Sequence, residues 1–458
     1  MSRILLGALV IVSCAGTTAT ATTDRPVSTT RVPWEETTTV PSQDLVIQDC
    51  SSPPATFSPL CEIVELLEDW YVDAPIDYEP LADLAIRGLS DFTSAETEEP
   101  PRTLFCAVPT EAFHDFCEEM ANRVLEHRIP VGQAVEAAVA HMISIGLDPF
   151  TYYLPPDQVG GFRNNGIVGG IGVLLDARDA VGSKCTQIID PCRLEVVVVL
   201  EDNPAFDVGL LAGDQIVAVD GQAVEGKGFA SVVALIAGDE TGAVSLTIDR
   251  DGETLVLDME RMELLVPTVD IELPSSSVGY IKIPDFEADI PGLVYQGLTE
   301  LTDTGADTLV VDLRDNPGGL VDSVVQVADL FISDGVVMIS DGPGEHLEYP
   351  AASGGLATSQ RLIVLVNRGT ASAAEILTGA LRDRRNAVVV GTDTFGKDAV
   401  QIPFRLRNGG EFIVVVARWS TPGGDTAAVD GLSPDVFVDW PNGATIDEIV
   451  DLALEATS

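Results

Sequence analysis

Basic side chains are scarce in this chain of 458 residues. Lysine and arginine together number 25, against 72 aspartates and glutamates, so the formal net charge is −47 at neutral pH. The acidic residues are spread along the chain, and such a surface repels the phosphates of nucleic acids. No nucleic-acid partner is therefore expected, and the charge indicates a protein kept soluble by its acidic surface, as in a salty environment. Hydrophobic residues still make up 46% of the chain, which is ample for packed globular cores.

Histidine and metal-binding motifs are equally sparse. The four histidines are His114, His127, His141 and His346, and none lies in residues 361–401, where the strongest chemical signal is found. A serine–histidine peptidase is therefore not favoured. The HExxH motif of zinc peptidases and the CxxC spacing of many metal sites are both absent, so neither a metal nor another cofactor is expected.

Lysine is the rarer of the two basic residues, with four copies against 21 arginines. A position that needs only positive charge would more often hold arginine in such a chain, so Lys397 stands out. A desolvated lysine can lose its proton, whereas arginine effectively cannot. The neighbours Phe395, Ala399 and Val400 can supply an apolar pocket, and a neutral lysine beside a serine is a workable general base for a hydroxyl nucleophile.

A serine lies one predicted helix and one predicted strand upstream of Lys397. Residues 363–366 form a short apolar run typical of a buried strand, and residues 371–381 have the composition and spacing of a helix. Ser372 is therefore expected at a strand-to-helix corner, where unpaired N–H groups and the helix dipole favour an anionic oxygen. If the chain after Lys397 is extended, Gln401 shares a face with this lysine and can orient its amine.

Four motifs in this part of the chain resemble the C-terminal processing peptidases, a family of serine–lysine peptidases with a PDZ domain. They are GTASAAEI, TFGKDAVQ, LVVDLRDNPGGLVDS and GLSPDVFV, and the resemblance extends over roughly residues 61–440. It implies that Ser372 is the nucleophile, Lys397 the general base and Gln401 the third member of the site. It also implies an oxyanion hole built from the backbone N–H groups of Gly318 and Ala373.

One residue departs from the family pattern. Asp398 stands where the family usually has glycine, and a carboxylate that pointed inward would keep Lys397 protonated and weaken it as a base. On an extended chain, however, Asp398 points away from the face of Lys397. The simpler interpretations are that Ser372 only caps a helix and that Lys397 lies on a solvated face. A catalytically silent, PDZ-bearing binding or adaptor protein on the same fold is therefore the alternative function.

The N-terminus is typical of export. Residues 1–13 are interpreted as a signal peptide, because the apolar run at 4–12 is too short to span a bilayer. The sequence Ile-Val-Ser-Cys that ends at Cys14 resembles a bacterial lipobox, which implies a lipid-anchored protein of the bacterial cell envelope. An ordinary secretory signal is the alternative. Residues 14–48, with ten threonines between 17 and 39, are interpreted as a flexible linker.

Six cysteines follow Cys14. An even number in an exported chain indicates disulfides, and the spacing suggests three local bridges, although six cysteines allow about 15 pairings. The suggested pairs are Cys50–Cys61, Cys106–Cys117 and Cys185–Cys192. Metal binding by these residues is the weaker alternative.

The pattern of apolar residues divides the rest of the chain into three parts, which predicts a multidomain α+β protein. Residues 49–161 have mainly helical periodicity, and 91–128 is interpreted as an insertion. Residues 162–262 contain short β runs and the motif GLLAGDQIVAVDG, which resembles a PDZ domain; a small β domain used only for packing is the alternative. Residues 263–458 alternate strands and helices, as expected of an α/β sandwich peptidase core with a C-terminal helix.

The PDZ resemblance implies a peptide-binding loop whose N–H groups capture a terminal carboxylate while the peptide adds a strand. Its residues are Gly169, Gly170, Ile171, Gly172 and Val173. The expected partners are therefore proteins or peptides with free C-termini, and an activating adaptor is compatible with this arrangement.

Overall fold

The computed structural model describes residues 44–458, apart from 93–96, 157–158, 160–166, 169, 180–183, 201–202, 239–241, 263–267, 353, 429 and 442–443. The predicted signal peptide, Cys14, most of the predicted linker and Gly169 lie outside the described residues. Within the described part of the chain, no helix combines the length and the apolar character needed to cross a bilayer.

The N-terminal region is mainly helical, as predicted. Its elements are β1 (Asp44–Asp49), α1 (Ser58–Trp70), α2 (Tyr78–Asp91), β2 (Thr103–Val108), α3 (His114–His127) and α4 (Val131–Gly146). Strands β1 and β2 pair in parallel along their whole length. The end of the predicted linker thus lies in strand β1, and its partner β2 lies within the predicted insertion at 91–128. A parallel pair joins segments far apart in sequence, so local periodicity gave no sign of it.

Three disulfides reinforce the small N-terminal elements and the next domain. The structure contains the pairs Cys50–Cys61, Cys106–Cys117 and Cys185–Cys192, with Cα–Cα distances of 5.6, 5.8 and 6.2 Å. The pairing suggested by the sequence spacing is therefore confirmed. The first bridge joins the turn directly after β1 to α1, and the second joins β2 to α3.

A PDZ-like β domain follows the helical region. After β3 (Tyr152–Leu154), its elements are β4 (Ile167–Val168), β5 (Val173–Arg178), β6 (Arg193–Val199), α5 (Pro204–Asp207), β7 (Gln215–Val219), β8 (Gln222–Ala223), α6 (Phe229–Ala237), β9 (Gly242–Arg250) and β10 (Glu253–Arg261). Its sheet has the order β10-β9-β7-β6-β5-β4, and β8 pairs with β7. Side chains from alternate strand positions, such as Val173, Leu175 and Val196, pack with α6 in one core.

The C-terminal half is an α/β domain with two sheets. Its elements are β11 (Asp270–Ser275), β12 (Val278–Lys282), α7 (Ile290–Asp303), β13 (Thr308–Asp312), α8 (Val321–Phe331), β14 (Val336–Gly342), β15 (Glu345–Pro350), β16 (Arg361–Val366), α9 (Ala373–Arg385), β17 (Val388–Gly391), β18 (Ala399–Arg405), β19 (Glu411–Ser420), β20 (Val436–Phe437) and α10 (Ile446–Ala456). The first sheet has the order β11-β12-β13-β16-β17-β20, and the second β15-β14-β19-β18 with β3 paired to β19. The multidomain α+β class predicted from the sequence is confirmed.

The parallel part of the first sheet determines where functional loops meet. Strands β13 and β16 are neighbours, and both are almost wholly apolar because helices cover the sheet. The loop after β13 carries the NPGG motif, and the loop after β16 carries Ser372. Since the carboxyl ends of parallel strands lie at one edge, the two loops are brought together there.

Candidate active site

Ser372 lies directly before helix α9, at a sharp corner. Its backbone angles are φ 52° and ψ −116°, in a region that residues other than glycine rarely adopt. The preceding residue is anchored, because Ala371 N–H donates to the carbonyl of Asn316 at 2.9 Å. Such a conformation persists only where its surroundings impose it, and it is typical of functional sites. The structure therefore places Ser372 at the strand-to-helix corner that the sequence predicted.

A buried carboxylate connects this corner to the loop that carries Lys397. Glu375 accepts hydrogen bonds from Ser372 N–H at 2.8 Å, Gly396 N–H at 2.8 Å and Lys397 N–H at 2.9 Å, and from the Thr394 hydroxyl. Burial raises the pKa of Glu375, while these four donors favour its ionised form. Sequence reasoning missed this residue, although Ser372 and Glu375 have the spacing of a helix capping box.

Lys397 lies just before β18, in surroundings that lower the pKa of its side chain. Its Nζ atom is 5.6 Å from the centroid of the Phe150 ring. Burial lowers the pKa of Lys397 to about 8, against the opposing effect of the carboxylates of Glu375 and Asp148. Its carbonyl accepts the indole N–H of Trp419 at 2.9 Å, which ties the lysine backbone to β19. The apolar pocket expected from the sequence thus includes a ring from a distant segment.

Asp398 points away from the lysine, as the extended-chain argument predicted. Its carboxylate pairs with Arg418 at 3.1 Å, and Arg418 also pairs with Asp73 of the helical region at 3.2 Å. The carboxylates that act on the pKa of Lys397 are Glu375 and Asp148. Asp398, which stands where the family usually has glycine, therefore forms an ion pair with Arg418 and not with Lys397.

The side chain of Gln401 bonds to the segment that precedes β3. Its side-chain amide donates to the carbonyl of Phe150 at 2.6 Å. Phe150 is in turn held by Asp148, whose carboxylate accepts the N–H of Phe150 at 2.8 Å and the hydroxyl of Thr151 at 2.6 Å. Gln401 thus supports the aromatic residue beside Lys397, and its role as third member of the site stays a prediction.

The predicted oxyanion-hole residues are brought together with Ser372. Gly318 has φ 104°, and a Cβ atom there would lie 2.8 Å from Ser372 Cβ and 3.0 Å from the nitrogen of Ala373. Only glycine permits this close approach. The Gly318 N–H, however, donates to Asn316 Oδ1 at 2.8 Å, so it must turn away from Asn316 before it can bind an oxyanion.

In the part of the chain that the structure describes, the link between Ser372 and Lys397 runs through the carboxylate of Glu375. Among the hydrogen bonds between residues that the structure describes, none joins the side chains of Ser372 and Lys397. The Gly318 amide is likewise bonded to Asn316 within its own loop.

The PDZ domain covers both catalytic loops. Leu174 and Val198 of its sheet pack in one cluster with Ala371 and Phe395, which flank Ser372 and Lys397 in sequence. The guanidinium of Arg178 donates to the carbonyl of Phe395 at 2.6 Å. The PDZ domain thus contacts both the loop that carries Ser372 and the loop that carries Lys397.

Backbone hydrogen bonds to the rest of the PDZ domain hold the described part of the predicted peptide-binding loop. Gly170 and Gly172 have φ values of 90° and 77°. The carbonyls of Gly170, Ile171 and Gly172 accept N–H groups from elsewhere in the domain, and Val173 opens β5. Peptide binding by this loop stays a prediction.

Two stretches of the chain match known domain families. Residues 277–438 match Peptidase family S41, and residues 195–250 match a PDZ domain. A carboxyl-terminal-processing protease of Synechocystis sp. is 32% identical over 332 residues, which cover 71% of this chain and 74% of the relative. This chain belongs to the C-terminal processing peptidases of family S41. It is thus a serine-type peptidase with a PDZ domain.

Other C-terminal processing peptidases agree with this assignment. The chloroplastic enzyme of Tetradesmus obliquus is 32% identical over 321 residues, covering 66% of this chain and 67% of the relative. The solved structure of a photosystem II D1 C-terminal processing protease superposes with a TM-score of 0.59 and 27% identity, over 83% of this chain and 96% of that one. The match therefore includes the helical region and the PDZ domain as well as the peptidase core.

The lowered pKa of Lys397 predicts how hydrolysis by this C-terminal processing peptidase depends on pH. A general base must be neutral, and burial lowers the pKa of Lys397 to about 8. At pH 7 only about a tenth of the lysine is neutral, so kcat/KM should rise about tenfold per pH unit below the midpoint and level off above it. The profile is measured with a small substrate at constant ionic strength. A value of kcat/KM that falls as the pH rises, or a midpoint near the ordinary pKa of lysine, would contradict the prediction that Lys397 acts as the general base.

Proposed function

We propose that this peptidase is an exported serine endopeptidase in which Ser372 is the nucleophile, Lys397 the general base, and the PDZ domain recognises substrate C-termini. The observation that carries the proposal is the Glu375 carboxylate, which binds the N–H groups of both Ser372 and Lys397. A helix cap would need only the first of these bonds. The second ties the position of the base to the position of the nucleophile.

The chemical steps follow from the groups present. Neutral Lys397 takes the proton of the Ser372 hydroxyl as its oxygen attacks the peptide carbonyl. The N–H groups of Gly318 and Ala373 stabilise the oxyanion once the first has left Asn316. The lysine ammonium then gives its proton to the leaving amine, and an ester on Ser372 remains. Water, deprotonated by the same lysine, attacks this ester. The lysine ammonium then returns the proton to the Ser372 oxygen as the carboxyl product leaves, which restores the enzyme.

The alternative is a PDZ-bearing binding protein that has lost the chemistry. The depressed pKa of Lys397 favours the enzyme, because a lysine kept only for its charge gains nothing from desolvation. Incubation of the purified protein with unfolded casein separates the two. The enzyme should cleave casein, and Ser372→Ala should not. Equal cleavage by the two proteins would point to a contaminant, and the absence of cleavage with an activating peptide present would favour the binding protein.

Export and anchoring are further parts of the proposal. Three disulfides among the described residues favour an oxidising compartment outside the cytoplasm. We expect the mature protein to begin at a lipidated Cys14, to lack residues 1–13 and to partition into detergent. More than one acyl chain on a single cysteine is enough for stable attachment. Cys14→Ser should release the protein or block its processing, whereas an unmodified N-terminus at another residue, found by mass spectrometry, would reject the anchor.

The contacts between the PDZ domain and the catalytic loops support gating of the site by peptide binding. A ligand shifts such an equilibrium only if it prefers one arrangement. We expect a short peptide with a free, apolar C-terminus, added in trans, to accelerate hydrolysis of a small chromogenic substrate that the PDZ domain cannot hold. The same peptide with an amidated C-terminus is the control and should have no effect.

The outcomes of that experiment distinguish gating from substrate tethering. If the PDZ domain only tethers substrates, the peptide leaves small-substrate hydrolysis unchanged and inhibits cleavage of proteins by competition. Removal of residues 166–261 gives a second comparison: tethering leaves small-substrate hydrolysis intact. A deletion variant that is faster than the intact enzyme would make the PDZ domain an inhibitory lid.

A further inference from the structure

Asp148 lies in the short turn that leads out of the helical region, between helix α4 and strand β3. Its carboxylate accepts the N–H of Phe150 at 2.8 Å and the hydroxyl of Thr151 at 2.6 Å. Its own N–H donates to the hydroxyl of Tyr71 at 3.4 Å. An aspartate that accepts the N–H two residues further on fixes the course of a turn. Asp148 therefore determines where the backbone of Phe150 lies.

Two strands of the peptidase core hold the same turn from the other side. Gln401 of β18 donates its side-chain amide to the carbonyl of Phe150 at 2.6 Å, and the N–H of Val415 in β19 donates to the hydroxyl of Thr151 at 3.1 Å. The ring of Phe150 has its centroid 5.6 Å from Lys397 Nζ. The turn thus forms one wall of the pocket around the lysine amine.

The negative charge of Asp148 is not used in an ion pair. Among the residues that the structure describes, no basic side chain pairs with this carboxylate, since Arg418, the nearby cation, pairs with Asp73 and Asp398. Burial raises the pKa of the Asp148 carboxyl, while the hydrogen bonds that it accepts and the charge of Arg418 oppose this change. The carboxylate therefore remains available to act on another cation close by.

That cation is Lys397. The carboxylates of Glu375 and Asp148 both oppose the lowering of its pKa by burial, and the amine of Lys184 lies 5.6 Å from the centroid of the same Phe150 ring. Desolvation alone would leave a lysine that binds a proton weakly. A general base is most effective when its pKa lies near the working pH, so a nearby negative charge offsets this loss.

We propose that Asp148 is a positioning residue for Lys397, whose carboxylate holds the turn of Phe150 against the lysine and brings a negative charge to its amine. The proposal rests on the proposed function of Lys397 as the general base. It gives the helical region a part in the chemistry, because a residue of that region keeps the amine basic enough to accept the proton of Ser372. The same charge sets the pH at which hydrolysis reaches half of its maximum.

The first experiment measures kcat/KM of the full-length enzyme against pH, on a small chromogenic substrate at constant ionic strength. Asp148→Asn keeps the size of the side chain and removes its charge. The midpoint of the profile should therefore move to lower pH by about half a unit or more. A midpoint of Asp148→Asn that stays at the wild-type value, or that moves to higher pH, would overturn the proposal.

Asp73→Asn is the matched control for this experiment. Asp73 belongs to the same region and pairs with the same Arg418 at 3.2 Å, but from a largely exposed position. The substitution makes the same chemical change in the same charge network and should leave the midpoint where it is. Equal shifts in Asp148→Asn and Asp73→Asn would show a general effect of lost charge and would overturn a specific role of Asp148.

A second measurement does not depend on activity. With Ser372→Ala as the background, the amine of Lys397 is acetylated with acetic anhydride at a series of pH values, and mass spectrometry of the digested protein gives the extent of labelling. Only the neutral amine reacts, so the pH of half-maximal labelling reports the pKa of Lys397. Adding Asp148→Asn should lower this pH by about half a unit or more, and adding Asp73→Asn should not change it.

The outcomes separate this proposal from the proposed catalytic roles. An unchanged labelling midpoint in Asp148→Asn would overturn the role of Asp148 even if Lys397 is the base. Full activity of Ser372→Ala would reject the catalytic roles, while a lowered midpoint would still demonstrate the action of Asp148 on the amine. If Asp148→Asn does not fold, Asp148→Ser replaces it, because a serine hydroxyl can still accept the N–H of Phe150 and carries no charge. The same shift is expected, and its absence would overturn the proposal.

Discussion

Lys397→Arg should lower kcat by at least about 10⁴-fold while the protein stays folded. Arginine keeps the positive charge but cannot be deprotonated at any pH that the protein survives. Ser372→Ala should cause a loss of similar size, and the double variant should lose no more than either single one, because nucleophile and base act as one unit. The measurement is the initial rate on a small substrate, with Tm as the check on folding.

Lys282→Arg is the matched control for this substitution. Lys282 ends strand β12 of the same domain, and its charge favours the ionised form of Asp312, which arginine preserves. The control should therefore keep wild-type activity. Appreciable hydrolysis by Lys397→Arg would remove the serine–lysine assignment, whereas equal losses in both variants would indicate a general intolerance of arginine in this core.

Glu375→Gln should damage both activity and stability. The carboxylate accepts four hydrogen bonds in a fully buried position. An amide has one acceptor oxygen, and its NH₂ group would face N–H donors. Leaving a buried donor unsatisfied costs about 1–3 kcal/mol, so we expect a loss of about 2–4 kcal/mol in the free energy of unfolding. Because the same bonds fix Ser372 relative to Lys397, kcat should also fall by about 10²-fold or more.

A second capping box in the chain supplies the control. Glu448 accepts the N–H of Thr445 at 2.9 Å in the first turn of α10, on the surface. Glu448→Gln makes the same chemical change in the same motif and should leave kcat unchanged. If Glu375→Gln behaved like Glu448→Gln, the carboxylate would be an ordinary helix cap, and the link between the two catalytic loops would be rejected.

Local patterns predicted much of this site because its geometry follows from single elements. The apolar run at 363–366 and the helix after it place Ser372 at a corner. The alternation of an extended chain places Asp398 opposite Lys397, and the ion pair with Arg418 agrees with that. The paired glycines of NPGG permit the close approach of Gly318 to Ser372. Each of these inferences needs only the residues nearby in sequence.

The features that the sequence did not reveal come from packing between distant segments. Phe150 reaches Lys397 from the end of the helical region, and Lys184 reaches Phe395 from the PDZ domain. The side chain of Gln401 binds the Phe150 carbonyl because that group lies within its reach in the folded protein. Hydrogen bonds and ring contacts of this kind leave no periodic pattern, so their partners become known only from the structure.

The most direct test of the central claim is the capture of the acyl-enzyme. The enzyme is mixed with a peptide ester and quenched in acid within its first turnovers, when the ester on the nucleophile accumulates if its hydrolysis is slow. Mass spectrometry of the digested protein should find the acyl group on the peptide that carries Ser372, and Ser372→Ala should show none. Turnover of the substrate with no adduct at Ser372, or with the adduct on another residue, would contradict the account.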